Sequence, residues 1–281
     1  MIDLHVHSIF SDGSLTPAQL VDTAEREKLT AMGLTDHDST DGIAPFLSAC
    51  QGRKLKGIGG VEISVDYNPG TMHMLGYFVQ PDNGPLREVL SLIRDGRDVR
   101  NREILGKLNS LGLNITWDQV KEKAVGGVMG RPHFAQALVD AGYVMAFKDA
   151  FDRYLAKGKP AYADRFRLTP QKGIELIRGA GGVAVLAHPA TLRLSAADLR
   201  TLAGELREAG LQGVEVYYSE HSAGQVEQYS KLCKDYGLLM TGGSDFHGTI
   251  NPDIKLGRGF GSLEVPDALL ADLYHAAGVP P

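Results

Sequence analysis

Short apolar runs that carry a histidine, aspartate or glutamate recur along the chain, and most are separated by stretches of helical periodicity. The first is Met1-Ile2-Asp3-Leu4-His5-Val6-His7, where two imidazoles at i and i+2 point to one side if the run is a strand. Further strand-like runs occupy residues 31–35, 55–61, 72–78, 182–187, 213–217 and 238–241, making seven candidates. Between the third and fourth lies only Asn68-Pro69-Gly70, a turn signal, so that pair reads as a hairpin-like excursion. The other units read as βα repeats. One helix is well marked: Thr16 stands as N-cap, Pro17 at the first helical position, and Leu20, Val21, Ala24 and Leu29 on one face. Further helices are predicted from Asp41, over 195–209 and 223–236, and over 266–277, where His275 reads as a surface residue.

After the fourth strand the alternation stops. From about 85 to 170 only helical periodicities occur, such as Leu86, Val89, Leu90, Ile93 and then Ile104, Leu105, Leu108, Leu111. The expected organisation is a barrel-like domain of residues 1–96 and 165–281, interrupted by a helical substrate-binding insertion at 97–164. Gly112, Gly126-Gly127, Gly130 and Gly158 serve as its breaks.

A chain of 281 residues with 43% hydrophobic content can bury one large α/β core. No run approaches the roughly 18 apolar residues of a membrane span, and the N-terminus enters a strand rather than a signal peptide, so the expected location is cytoplasmic. Cys50 and Cys233 stand far apart and outside the polar clusters, which argues against a disulfide framework or a thiolate metal site. The net charge of −5 is unevenly spread: residues 94–172 hold 15 Lys and Arg against 9 Asp and Glu, a local +6, and the remainder carries −11. A cationic surface for an anionic substrate beside an acidic centre explains this, as does a solvated helical face.

The polar motifs carry the chemistry. Thr35-Asp36-His37-Asp38, Gly60-Val61-Glu62, Met72-His73-Met74, Ala187-His188-Pro189 and Ser244-Asp245-Phe246-His247 join His5, His7 and Ser11-Asp12-Gly13. Clusters at strand ends are where a (β/α) barrel assembles its site. The candidate metal ligands are His5, His7, Asp12, His37, Glu62, His73, His188, Asp245 and His247; as a catalytic ion takes three or four protein ligands, nine imply two or three ions. The alternative for each is a buried, hydrogen-bonded polar residue. Nitrogen and oxygen donors without thiolate suit Mn, Zn or Fe, and disfavour calcium or an iron–sulfur cluster. Such ions would bridge an oxygen nucleophile and neutralise a phosphoryl group, so the reaction class is metal-assisted hydrolysis of a phosphoester or an amide. Asp36, Asp38 and Ser244, beside ligands, are expected to orient imidazoles.

In the insertion, Gly130-Arg131-Pro132-His133 precedes an apolar helix, so Arg131 and His133 are candidates for gripping an anion, with Lys159 of Lys157-Gly158-Lys159-Pro160 as a further one. An ordinary helix start and a solvated loop are the alternatives. His221, after the sixth strand, is a candidate substrate contact or acid/base; an ordinary loop histidine is the other reading.

These six motifs, in this order and strand context, resemble the PHP family, named for polymerase and histidinol phosphatase, over essentially the whole chain. The resemblance implies a distorted seven-stranded (β/α) barrel, TIM-like, with a trinuclear metal centre. It implies that His5, His7, Glu62 and Asp245 hold one metal, that Glu62 bridges to a second bound by His73 and His188, and that Asp12, His37 and His247 hold the third. Asp12 stands where many family members have histidine. The insertion and Arg131-Pro132-His133 resemble the subgroup that removes the 3'-phosphate from nucleoside 3',5'-bisphosphates, with relatives acting as 5'-to-3' exoribonucleases on short RNA. The implied mechanism is attack of a metal-bridged hydroxide on phosphorus, with Arg131 and His133 anchoring a phosphate. Manganese is the expected metal, with Zn, Fe or Mg as alternatives. The expected partners are a small nucleotide or short RNA, with neither membrane nor obligate protein partner. Histidinol-phosphate phosphatase is the enzymatic alternative, which the basic insertion disfavours, and a polymerase-associated scaffold is the non-enzymatic one.

Overall fold

The computed structural model describes residues 1–124, 129–164 and 166–280, so Gly126-Gly127 lies outside the described residues. The chain divides into two compact units, Met1–Leu90 with Arg167–Pro281, and Ser91–Phe166.

Among the described residues seven strands build the first unit: β1 (Ile2–Val6), β2 (Ala31–Leu34), β3 (Lys56–Val65), β4 (Met72–Tyr77), β5 (Val183–Leu186), β6 (Gly213–Tyr218) and β7 (Leu239–Gly243). They pair in chain order. Every pairing is parallel except β3–β4 and β4–β5, which are antiparallel. Beyond β7 the ends approach: the Asp245 N–H donates to the His5 carbonyl at 2.9 Å and the His7 N–H to the Phe246 carbonyl at 3.0 Å. The result is the expected distorted (β/α) barrel, nearly closed. Residues on both faces of β1 are buried, as in a sheet covered on each side, so alternation there separates chemistry from packing: Asp3, His5 and His7 take one face, Ile2, Leu4 and Val6 the other.

β3 continues four residues past the expected end at 61. Its polar positions Glu62 and Ser64 interrupt the apolar run, yet both are buried along with Val61, Ile63 and Val65. Because β4 runs antiparallel, its first residues lie at the end of the barrel where the parallel strands finish, and this brings His73 opposite Ser64, two residues from Glu62.

Helix α1 (Pro17–Arg26) starts where the sequence indicates. Thr16 Oγ1 accepts from the Gln19 N–H and the Gln19 side chain accepts from the Thr16 N–H, a reciprocal cap. Leu20, Val21, Ala24 and the following Leu29 are buried against Val6, Met32 and Leu34. Helices α2 (Ile43–Cys50), α7 (Pro170–Gly179), α8 (Ala196–Glu208), α9 (Ala223–Tyr236) and α10 (Leu269–Ala277) complete this unit.

The helical periodicities after β4 belong to one continuous helix, α3 (Gly84–Ser110), which leads into the second unit. Gly96 and Gly106 do not break it, since an isolated glycine costs a helix only about 1 kcal/mol. α4 (Trp117–Lys123), α5 (Arg131–Asp140), α6 (Phe147–Ala150) and a π-helical turn, Phe151–Leu155, follow. This unit has its own core, including Ile104, Leu108, Val120, Phe134, Leu138 and Leu155. Among the described residues no helix is long and apolar enough to cross a membrane.

Candidate metal centre

The strand ends deliver all nine candidate ligands to one end of the barrel. A Cβ on Gly13 would stand 2.3 Å from the His7 carbonyl oxygen, so glycine permits the Ser11-Asp12-Gly13 turn to fold back onto β1 and set Asp12 beside His7. Asp36 holds that turn: the Ser8 N–H, the Ser8 hydroxyl and the Ser11 hydroxyl donate to its carboxylate at 2.6–2.7 Å. His188 (φ 24°) and Asp245 (φ 58°) occupy the left-handed region after β5 and β7, strained backbone of the kind that gathers at functional sites.

Glu62 is the hub. Its Oε1 lies 2.8 Å from His73 Nδ1 and 2.9 Å from His188 Nε2. Its Oε2 lies 3.2 Å from His5 Nε2, 3.3 Å from His7 Nε2 and 3.1 Å from His37 Nδ1. Asp245 Oδ1 adds contacts of 3.1 Å to His7 Nε2 and 3.5 Å to His5 Nε2. On the other side of His7, Asp12 Oδ1 lies 3.5 Å from His7 Nδ1 and 3.2 Å from His247 Nε2.

Ligand atoms within 4.8 Å of one another form three groups: His5, His7, Glu62 and Asp245; His7, Asp12, His37 and His247; and His37, Glu62 and His73. His7, Glu62 and His37 each belong to two groups. His188 sets its Nε2 on Glu62 and stands outside the three groups. The donors fit a divalent cation. His5 Nε2, His7 Nε2, Asp12 Oδ1, His37 Nδ1, Glu62 Oε2 and Asp245 Oδ1 are all buried and lack a hydrogen-bond partner, although a buried polar atom ordinarily has one. Nitrogen and oxygen donors that converge in a buried site without hydrogen-bond partners form a coordination shell for a positive ion.

The metal-free electrostatics agree. Burial opposes ionisation of Glu62, but His37, His73 and His5 outweigh it and hold the carboxyl well below its usual range. Asp245 is likewise held low against burial, chiefly by His5 and His7. Burial disfavours the His7 imidazolium, yet the Asp245 and Glu62 carboxylates beside its Nε2 and the charge of Asp12 raise it to about 10. His37, by contrast, is pushed down to about 4 by burial, with His7 and His73 adding to the effect. Ionised carboxylates are ready for a cation; a proton on His7 competes with it.

The three neighbours expected to orient imidazoles do something else. Besides Asp36 and its serines, the Asp38 carboxylate accepts from the Ser64 N–H at 2.9 Å, and the Ser244 N–H and hydroxyl donate to Asp3 at 2.9 and 2.5 Å. Short side chains at strand ends reach the adjacent backbone first. The ring partners are Glu215 at His5 Nδ1 (2.9 Å), Thr191 at His188 Nδ1 (3.1 Å) and the Asp245 carbonyl at His247 Nδ1 (2.8 Å). Tyr218, also unforeseen, donates its hydroxyl to Asp245 Oδ2 at 3.0 Å.

His221 Nδ1 donates to the Val216 carbonyl at 2.8 Å, which leaves Nε2 buried without a hydrogen-bond partner, and burial lowers its pKa. Tyr218 contacts both this ring and that of His188, with centroids 5.1 and 5.2 Å away. In the helical unit, His133 Nδ1 accepts from the Gly130 N–H at 2.9 Å and so caps α5. Arg131 Nη1 donates to the Leu155 carbonyl at 3.4 Å, and its guanidinium lies over the Tyr162 ring at 5.4 Å. Lys159 is exposed.

The profile of the PHP domain matches residues 3–156. A 3',5'-nucleoside bisphosphate phosphatase of Chromobacterium violaceum is 35% identical over 247 residues, 88% of this chain and 87% of that protein. The chain belongs to the PHP family. A second relative, the 5'-3' exoribonuclease Rnm of Escherichia coli, is 34% identical over 258 residues, covering 91% of this chain and 88% of that one. Among solved structures, a Bifidobacterium adolescentis protein described as a metal-dependent phosphoesterase superposes with a TM-score of 0.77 at 31% identity, over 99% of this chain and 96% of that chain. This PHP protein is thus an enzyme, a metal-dependent phosphoesterase with clusters of candidate ligands at the end of its barrel.

Proposed function

We propose that this enzyme removes the 3'-phosphate from nucleoside 3',5'-bisphosphates and also degrades short RNA from its 5' end, using two or three divalent ions, with manganese preferred. The observation that carries the metal part is Glu62, whose two oxygens lie within 3.3 Å of five imidazole nitrogens. Three of those nitrogens, on His5, His7 and His37, make no hydrogen bond although buried, and a cation shared with the carboxylate completes such a donor set. His5, His7, Glu62 and Asp245 would hold one ion; Glu62, His73 and His188, with His37 nearby, a second; and Asp12, His37 and His247 a third. Ions bound there would supply Lewis acidity to the phosphoryl group and lower the pKa of water.

The chain's own residues do the rest. Thr191 and the Asp245 carbonyl orient the His188 and His247 rings. His221, fixed through Nδ1, is the proposed proton carrier through Nε2. Arg131, His133 and Lys159 are the proposed anchors for a second phosphate. Their support is chemical: Arg131 is a permanent charge at the start of α5, and the Gly130 contact fixes the His133 Nδ1 lone pair, so the proton of the neutral ring sits on Nε2 as a donor. The substrate class draws support from the names of the two relatives.

The test is inorganic phosphate release from adenosine 3',5'-bisphosphate by the Mn-loaded enzyme, with histidinol phosphate and a 5'-phosphorylated oligoribonucleotide in parallel. Turnover of the bisphosphate, with KM raised in Arg131→Ala, is the expected result. Turnover of histidinol phosphate alone overturns the nucleotide assignment and leaves the phosphoesterase standing.

A further inference from the structure

Strand β6 carries no candidate metal ligand at its end, yet it sends two side chains into the cluster. Glu215 is fully buried, and its carboxylate bridges ligands from different strands: Oε1 lies 2.9 Å from His5 Nδ1, and Oε2 accepts from the His188 N–H at 2.8 Å. Tyr218, three residues on, donates to Asp245. In a regular strand residues 215 and 218 would face opposite ways. The pairing of β6 with β7 shifts register between Glu215 and Tyr217, and such an irregularity re-aims side chains beyond it.

We propose that Glu215 is a positioning residue of the metal centre: it fixes the His5 tautomer with the hydrogen on Nδ1 and pins the strained His188 backbone. The inference rests on the reading of His5 and His188 as metal ligands. A carboxylate at Nδ1 leaves the Nε2 lone pair turned toward Glu62 and Asp245, the direction a shared cation requires, and makes that nitrogen a stronger donor. The second oxygen acts on β5. His188 sits at φ 24°, a conformation an L-residue holds only when its surroundings enforce it, and the Glu215–His188 N–H bond is such a restraint. One buried side chain thereby couples β1 to β5 through β6. Glutamine cannot replace it, because its single oxygen accepts from one of the two donors and its amide hydrogens oppose the other.

The test is divalent-metal affinity, measured by competition with a chromophoric chelator for wild type, Glu215→Gln and, as a surface control, Glu220→Gln. Glu215→Gln is expected to bind Mn and Zn about 10- to 100-fold more weakly, while Glu220→Gln matches wild type. Nitrogen-15 spectra of the Zn-loaded wild type, histidine-labelled, give a second readout that needs no variant: His5 should carry its hydrogen on Nδ1. Equal affinity in Glu215→Gln and wild type, or a His5 hydrogen on Nε2, overturns the role of Glu215 and leaves the metal centre intact. A wild type that binds no metal overturns both readings.

Discussion

Gly243 lies directly against His5: a Cβ built on it would stand 2.3 Å from the His5 backbone nitrogen and 2.4 Å from the His5 Cβ. This contact is where the last strand meets the first, so closure of the barrel and placement of a candidate ligand share one requirement. Gly243→Ala must push β7 away from β1, at an expected cost of at least about 1–3 kcal/mol, together with lower metal content. Gly106→Ala is the contrast. Gly106 is exposed inside α3, with nothing within 4 Å of a built Cβ, so alanine there should stabilise by about 0.5–1 kcal/mol. Thermal melting and metal analysis of the two variants check both signs; an unperturbed Gly243→Ala would show that the strands separate at no cost.

Much of this was legible in the chain because one alternation serves both packing and chemistry. In β1 the apolar parity makes the strand recognisable, and the polar parity, His5 and His7, exposes the chemistry. Glu215 is invisible by the same logic, since between Val214 and Val216 it reads as the solvent side of an ordinary strand, with no neighbouring histidine to mark it. Its importance is created by a partner 210 residues away. The Gly130-Arg131-Pro132-His133 turn is half legible: the motif marks a helix start, but nothing in it says that His133 caps that helix through Nδ1. Asp36, adjacent to His37, reads as a partner for imidazoles, whereas its carboxylate meets Ser8 and Ser11 instead.

Removing metal should loosen the barrel end. Buried ligand atoms that lack hydrogen-bond partners are a liability in the empty protein and an asset in the loaded one. At a free metal concentration 100-fold above the dissociation constant, each site adds about 2.7 kcal/mol, or about 5–10 °C in melting temperature for a chain of this size. A melt in EDTA against one in Mn measures it. Identical midpoints would sink the ligand assignment.

Neither cysteine should react readily in the folded enzyme. Burial pushes the Cys50 thiol up to about 11, outweighing the nearby Arg53, and the Cys233 thiol up to about 12. A raised thiol pKa means less thiolate at neutral pH, so iodoacetamide at pH 8 should modify Cys50 at least about 100-fold more slowly than an unperturbed thiol near 8.5. The rate should rise about tenfold per pH unit towards 11 and jump on unfolding in urea. Mass spectrometry of the labelled peptides reads each site; fast labelling of the folded protein at pH 8 would contradict the burial.

Asp12 offers the sharpest dissection of the ion count, because it belongs to only one of the three ligand groups. It touches His7, His37 and His247 at 3.5, 3.8 and 3.2 Å, whereas Glu62 pairs with His5, His7, His37, His73 and His188. Asp12→Ala should therefore lower metal stoichiometry by about one ion and leave the ions around Glu62 in place. Glu62→Gln should weaken binding at least about 100-fold, the upper end of what even an outer partner costs, and reduce the total by more than one. Phosphoesterase activity in Asp12→Ala then separates the ions by task. If the Asp12 group only grips substrate, KM rises while kcat holds; if it acts on the reacting phosphate, kcat falls with it. Equal metal content in Asp12→Ala and wild type would mean that His7, His37 and His247 bind without the carboxylate, or that no ion occupies that group.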